Sequence, residues 1–239
     1  QRWGNPHYRW DRMQQDGFRW WVARFKSKLR LFDLVRIDHF RGFEAYWEIP
    51  AAHDNAMGGR WVKAPGDALF EVLRRHFDHL PVGAEDLGLI TPEVEAMRLR
   101  HGFPGMKILQ FAFDGGPTNP YLPHNHHHLS AVYTGTHDND TTMGWYGSLS
   151  AETRRHVDEY LHAAGEPMPW PLIRAALASV AELAVIPMQD VLALGSEHRM
   201  NTPGKADGNW RWRFGWDQVH DAIAPHLRRM SELYGRVAE

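Results

Sequence analysis

The chain of 239 residues, 43% of them apolar, has material for one large domain or two small ones, and an α/β barrel of ~250 residues is a permitted single domain. A formal net charge of -2 at pH 7 gives no electrostatic reason to expect nucleic acid or an anionic membrane as partner. The absence of cysteine excludes disulfides and thiolate metal sites and accords with a cytoplasmic protein, and no run approaches the ~18 consecutive apolar residues of a membrane-spanning helix.

The chain begins Gln1-Arg2-Trp3, with neither an initiator Met nor a basic-then-apolar leader, as a fragment or processed product would. Residues 1–17 read as an irregular loop. Phe18, Trp21, Val22, Phe25 and Leu29 have helical spacing and predict a helix over 18–29. The apolar run 31–38 predicts a buried strand, and the Pro- and Gly-rich stretch 42–66 a long loop. Asp67 is placed to cap a helix bearing Leu69, Phe70, Val72, Leu73 and Phe77. Residues 81–86 form a second short strand. Thr91 and Pro92 open a helix that ends near Arg100, before Gly102. Strands are expected over 106–113, 131–136 and 184–188, and helices over 151–164 and 171–183. Strands alternating with helices imply parallel βα units. With no internal repeat or linker, residues 1–239 read as part of a single catalytic barrel domain. Five strands fall short of the eight of a closed (β/α)8 barrel. The expected fold is therefore a truncated TIM-type barrel whose N-terminal strands lie outside this chain, and whose open edges favour self-association.

Asp38, Glu85 and Asp138 each stand at the C-terminal end of a predicted strand. In a barrel such ends converge on the face where active sites are built. A carboxylate there often does no more than cap the next turn. A set of them can also divide glycosidic cleavage between nucleophile and general acid/base. Eleven tryptophans serve core packing first, while an exposed indole can stack on the C–H face of a pyranose.

Three segments carry a resemblance: Arg36-Ile37-Asp38-His39-Phe40-Arg41-Gly42, Ala84-Glu85-Asp86-Leu87-Gly88 and Gly135-Thr136-His137-Asp138-Asn139-Asp140-Thr141. In order and separation they resemble the active-site motifs of the amylomaltase (4-α-glucanotransferase, disproportionating enzyme) family. Trp3-Gly4-Asn5-Pro6 and the segment 195–204 are similar to two further family segments. The resemblance implies a retaining transferase acting on α-1,4-glucans such as maltodextrins or starch- and glycogen-derived chains, with no cofactor. It implies that Asp38 is the nucleophile, Glu85 the general acid and then base, and Asp138 the carboxylate that grips sugar hydroxyls. Retention asks for the nucleophile and the acid to sit ~5–5.5 Å apart. Arg36, two residues before Asp38 on the same strand face, would orient it. His137 and His39 would bond neighbouring hydroxyls, Trp3 would stack on a sugar, and Asp86, Asp114 and Asn201 would supply polar contacts.

The cluster His124-Asn125-His126-His127-His128 reads as a loop without an interleaved carboxylate, so no metal site is expected. Three carboxylates do not separate transfer from hydrolysis. An α-amylase-type hydrolase and a non-catalytic carbohydrate-binding fragment are the alternatives.

Overall fold

A computed structural model describes residues 2–163 and 165–237; Ala164, the last residue of the helix expected over 151–164, lies outside them. The chain divides into two compact units, Gln1–Met106 and Lys107–Glu239.

The first unit contains α1 (Trp10–Gln15), α2 (Arg19–Leu29), β1 (Val35–Ile37), β2 (Ala45–Glu48), β3 (Arg60–Lys63), α3 (Gly66–His76), β4 (Val82–Ala84) and α4 (Pro92–Arg100). β1 and β4 pair in parallel, with Val35 opposite Val82 and Ile37 opposite Ala84. Ile37, Val82 and Ala84 are buried in a core with Phe40, Phe43, Leu69, Phe70, Leu73 and Phe103. Phe70 is its hub, with ring centroids 5.7 Å from Phe40, 5.5 Å from Phe43 and 5.0 Å from Phe103. α2 adds Trp21 and Phe25 to this core.

Several expectations need correction. The strand expected over 31–38 is confined to Val35–Ile37. Leu31, Phe32 and Leu34 are 72%, 55% and 45% exposed, so the apolar run is not a buried strand. The loop expected over 42–66 holds the antiparallel hairpin β2–β3, in which Trp47 faces Trp61 with ring centroids 5.2 Å apart. Cross-strand aromatic pairs stabilise such hairpins. The N-terminal loop contains the short α1. α4 starts at Pro92 as expected, and Gly102 beyond its end adopts φ +66°. That left-handed turn lets the Phe103 amide return to the Arg98 carbonyl at 3.1 Å.

The second unit contains β6 (Ser130–Tyr133), α5 (Thr142–Ser148), α6 (Ala151–Tyr160), α7 (Trp170–Ala178), β7 (Leu183–Val185), α8 (Met188–Val191) and α9 (Ile223–Leu233). β5 (Gly105–Ile108) runs across the division and opens a sheet ordered β5–β6–β7. β6 and β7 are parallel, with Val132 opposite Ala184. Their core joins Leu109, Val132, Val157, Leu172 and Ala176. The strand expected over 106–113 ends at Ile108, where a 3-10 turn, Leu109–Phe111, takes over. Thr141 caps α5 by accepting from the Gly144 amide at 3.1 Å, and Ser150 caps α6 by accepting from Thr153 at 3.1 Å. α9 lays Met230 against Ile173 and Leu177 of α7. Arg236 then donates to the carbonyl of Leu177 in the last turn of α7 and to those of Ser179 and Ala181 just past its end. Among the described residues no helix is long and apolar enough to cross a membrane.

Asp67 is not the N-cap expected of it. The helix starts at Gly66, and Asp67 in its first turn binds Arg100 at 2.5 Å and His101 at 2.8 Å. Partial burial works to raise its pKa, but the hydrogen bonds from Arg100 and His101 outweigh that and hold it below the ordinary 3.8. A lowered carboxylate contributes stability above its unfolded pKa and loses it as pH falls through the folded value. Asp67→Asn should therefore lower the thermal midpoint at pH 7 by an amount worth ~0.5 kcal/mol, discounted because the group is half exposed. The gap between variant and parent should close below pH 3.8. A gap that stays constant down to strongly acid pH would remove the ion pair as its source.

Candidate active site

In the first unit the site grows out of the β1–β4 pairing. One step beyond the Ile37–Ala84 pair stand Asp38 and Glu85. The ladder ends there, and two backbone bonds tie the following turn to Glu85: the Glu85 amide donates to the Ile37 carbonyl at 2.9 Å and the Phe40 amide to the Glu85 carbonyl at 3.1 Å. Neighbouring strands lie ~4.8 Å apart, so two in-register carboxylates leave the sheet side by side. They emerge on the face opposite buried Ile37 and Ala84, because strand side chains alternate. From that start, carboxyl groups ~5–5.5 Å apart are within reach.

Arg36 occupies the same face, and its Nη2 lies 2.9 Å from Asp38 Oδ1. Its register partner is Gly83, which has no side chain to crowd the guanidinium. Asp38 is 74% exposed and otherwise open to a ligand. The Glu85 carboxylate is held differently. Its Oε2 accepts from the His39 amide at 2.6 Å and its Oε1 from the Leu87 amide at 3.0 Å. His39 can aim its amide this way because it takes a left-handed backbone, φ 49°. The His39 ring meets the exposed Trp3 edge-on, with centroids 4.9 Å apart.

Asp86 overturns its expected part as a sugar contact. One residue past Glu85, it turns inward. Its Oδ1 accepts from the Met106 amide at 2.7 Å and its Oδ2 lies 3.2 Å from Arg98 Nε. The two side chains are 8% and 6% exposed. A buried ion pair repays its desolvation only with good geometry and further hydrogen bonds. Arg98 has them, donating also to Glu95 and to the Phe103 carbonyl.

In the second unit the loop after β6 carries the third carboxylate. Asp138 Oδ1 accepts from Asn201 Nδ2 at 2.6 Å, and its Oδ2 lies 3.3 Å from His137 Nε2. Its backbone carbonyl accepts from Arg199 at 2.8 Å. Trp210 packs 5.0 Å from the His137 ring. Thr136 donates its amide and its hydroxyl to Asn139 Oδ1, closing the turn. Asp114 lies in a different loop, exposed, where its carbonyl and Oδ1 accept from Asn119 at 3.0 and 3.2 Å.

The structure thus brings together Arg36, Asp38, Glu85, His39 and Trp3 in the first unit, and His137, Asp138 and Asn201 in the second. Sequence reasoning missed Trp210 and gave Arg199 no role, although Arg199 lies inside the segment 195–204 singled out above. The histidine cluster packs the preceding loop: His124 bonds Tyr160 Oη and His126 bonds Ser179 Oγ. Burial pushes the His126 pKa below its ordinary value. Among the described residues no group of acidic or histidine side chains is placed to hold a metal ion.

Comparison with known proteins agrees with these motifs. Residues 1–218 match the family model described as 4-alpha-glucanotransferase, glycoside hydrolase family 77. The chain is 55% identical to the 4-alpha-glucanotransferase of Thermus thermophilus and 52% identical to that of Synechocystis, in each case over 99% of this chain. It covers 49% and 47% of those two proteins, so it spans about half the length of the curated relatives it matches. Among solved structures it resembles the amylomaltase of Streptococcus agalactiae, determined in complex with acarbose, with TM-score 0.93 and 36% identity over 98% of this chain and 48% of that one. The chain belongs to the 4-alpha-glucanotransferase family, and its fold is of the α/β class.

Gly105 backs the Asp86–Arg98 pair. A Cβ built on it would lie 2.2 Å from Asp86 Oδ2. Gly105→Ala should cost ~1–3 kcal/mol, as overpacking at a closed site does, read from the midpoint of a denaturant titration. Unchanged stability would show that Asp86 can move away from Arg98 freely.

Proposed function

We propose that this chain carries the catalytic carboxylates of a 4-α-glucanotransferase, which moves α-1,4-linked segments between maltodextrins by retaining double displacement. The observation that carries the reading is the parallel register of β1 and β4, which sets Asp38 and Glu85 one residue past the Ile37–Ala84 pair. Asp38, oriented by Arg36, attacks the anomeric carbon while Glu85 protonates the departing glycosidic oxygen. The bond to the leaving chain breaks as the Asp38 ester forms. Glu85, now a carboxylate, takes the proton of an acceptor hydroxyl, which attacks the same carbon and releases Asp38. Asp138, held by Asn201 and flanked by His137, grips sugar hydroxyls. Trp3 and His39 form an aromatic wall beside Glu85, and Asp114 offers a further polar contact. Neither step calls for a metal or cofactor.

The same reading covers the fold and the setting. The parallel pairs β1–β4 and β6–β7 support the C-terminal part of a (β/α)8 barrel, with residues 1–239 belonging to one catalytic domain. The acarbose held by the Streptococcus agalactiae relative supports an α-glucan as the ligand here. A cysteine-free chain suits the cytoplasm.

Incubation with maltotriose should give glucose together with a ladder of longer maltodextrins, resolved by chromatography. Asp38→Asn should abolish both by at least ~10³-fold, the scale of losing a covalent nucleophile. Glucose and maltose without longer products would replace transfer by hydrolysis. No turnover from a folded sample would mean that the site is incomplete in this chain alone.

A further inference from the structure

One buried acid has no part in the steps above. Asp190, in α8 just past β7, is 1% exposed. Its oxygens accept three hydrogen bonds, none from a cationic side chain: Thr134 Oγ1 to Oδ2 at 2.6 Å, Thr142 Oγ1 to Oδ2 at 2.8 Å, and the Thr142 amide to Oδ1 at 2.7 Å. Burial pushes its pKa up, and the bonds from Thr134 and Thr142 pull against that rise. An acid with no counter-ion among the described residues is a costly way to pin two threonines unless their position matters.

Their position is informative. Thr134 is the first residue beyond β6 and Thr142 the first residue of α5, so they bracket the loop that carries His137 and Asp138. Both ends of that loop therefore close on one carboxylate. Thr134 and Thr142 are themselves fully buried, so water does not compete for these bonds. Side contacts complete the frame. Ser196 donates to Asp140 Oδ2 at 2.7 Å, Gln110 donates to the Asp140 carbonyl at 2.9 Å, and Arg199 and Asn201 hold Asp138 directly. A short loop with both ends fixed has little conformational freedom left to lose when a ligand binds.

We propose that Asp190 is a positioning residue of the reaction: by holding Thr134 and Thr142 together it sets the loop that presents Asp138 and His137 to the sugar. This rests on the reading of Asp138 as a sugar-gripping carboxylate. Asp190 touches no substrate and acts only through the loop. A merely structural acid would affect stability wherever it was removed. A positioning acid loosens residues 135–141 selectively and lowers turnover more than substrate affinity, because the lost contacts are those strengthened in the transition state.

The test combines amide hydrogen exchange with maltotriose kinetics on the parent protein, Asp190→Ala, Asp190→Asn and the double variant Thr134→Val/Thr142→Val. Asp190→Ala should speed exchange of the 135–141 amides at least ~10-fold while β6 and α7 stay protected. Its kcat should fall about 100-fold with KM changed less than about threefold. Asp190→Asn retains an acceptor for the Thr142 amide and should recover most of both losses. Thr134→Val/Thr142→Val keeps the carboxylate and the Thr142 amide bond, and should fall between. Unaltered loop exchange, or unaltered kcat alongside faster exchange, would overturn the proposal. If Asp190→Ala does not fold, parent-like exchange and kcat in the double threonine variant overturn it equally. Should the parent show no turnover, the transferase reading fails for this chain, and the exchange data still decide whether Asp190 sets the loop.

Discussion

Parallel pairing of β1 with β4, with Ile37 opposite Ala84, decides where two carboxylates leave the sheet. Side chains alternate along a strand, so burying Ile37 and Ala84 among Phe40, Phe70 and Phe103 forces Asp38 and Glu85 to the opposite face. A slip of one residue in either strand would carry a charged group into that aromatic core. The desolvation cost forbids it. Packing thus specifies the register, and the register specifies which acids become neighbours. The apolar core of this unit and its proposed chemistry are two faces of one pairing.

The carboxylates proposed to act on sugar are oriented by three different means. Asp38 has a guanidinium beside it. Glu85 is held by backbone amides of His39 and Leu87. Asp138 is held by the side-chain amide of Asn201 and flanked by an imidazole. Backbone donors come with the fold and cannot be removed by changing a side chain, so the geometry at Glu85 depends on the left-handed turn at His39. Side-chain donors depend on loops distant in sequence, which makes Asp138 the acid most sensitive to what surrounds it. The contact at Asp38 is electrostatic as well as geometric, and suits the nucleophile's part proposed for it.

Much of this was legible because strand ends announce themselves in sequence. Asp38, Glu85 and Asp138 follow short β-branched or small-residue runs, and those runs do form strands. Lengths were overread where apolar residues are exposed, as at Leu31, Phe32 and Leu34, because composition does not report which side faces water. The β2–β3 hairpin escaped notice because its turn-rich stretch hides the Trp47–Trp61 pair that holds it. Asp67 has the right chemistry for a cap, but the helix begins one residue earlier and an ion pair claims it. Asp86 illustrates the same limit: alternation after Glu85 sends it inward to Arg98, a partner that only the fold reveals. Two of the partners of Asp138, Arg199 and Asn201, lie 61 and 63 residues away, beyond the reach of local pattern.

Two buried acids tie separate elements together close to the proposed site. Asp86 is buried with a cation and a backbone amide, and Asp190 with hydroxyls and a backbone amide, and each lies beside a segment bearing a proposed catalytic acid. In both cases the acid accepts from two separate elements at once. A single apolar side chain in its place could fill the volume but could not specify the relative placement of those elements, because dispersion contacts are non-directional. Hydrogen bonds at 2.6–2.8 Å to two oxygens of one carboxylate constrain distance and angle together. Stability could be met more cheaply by an apolar core. Placement could not, and placement is what the proposed site would require to favour a transition state over a ground state.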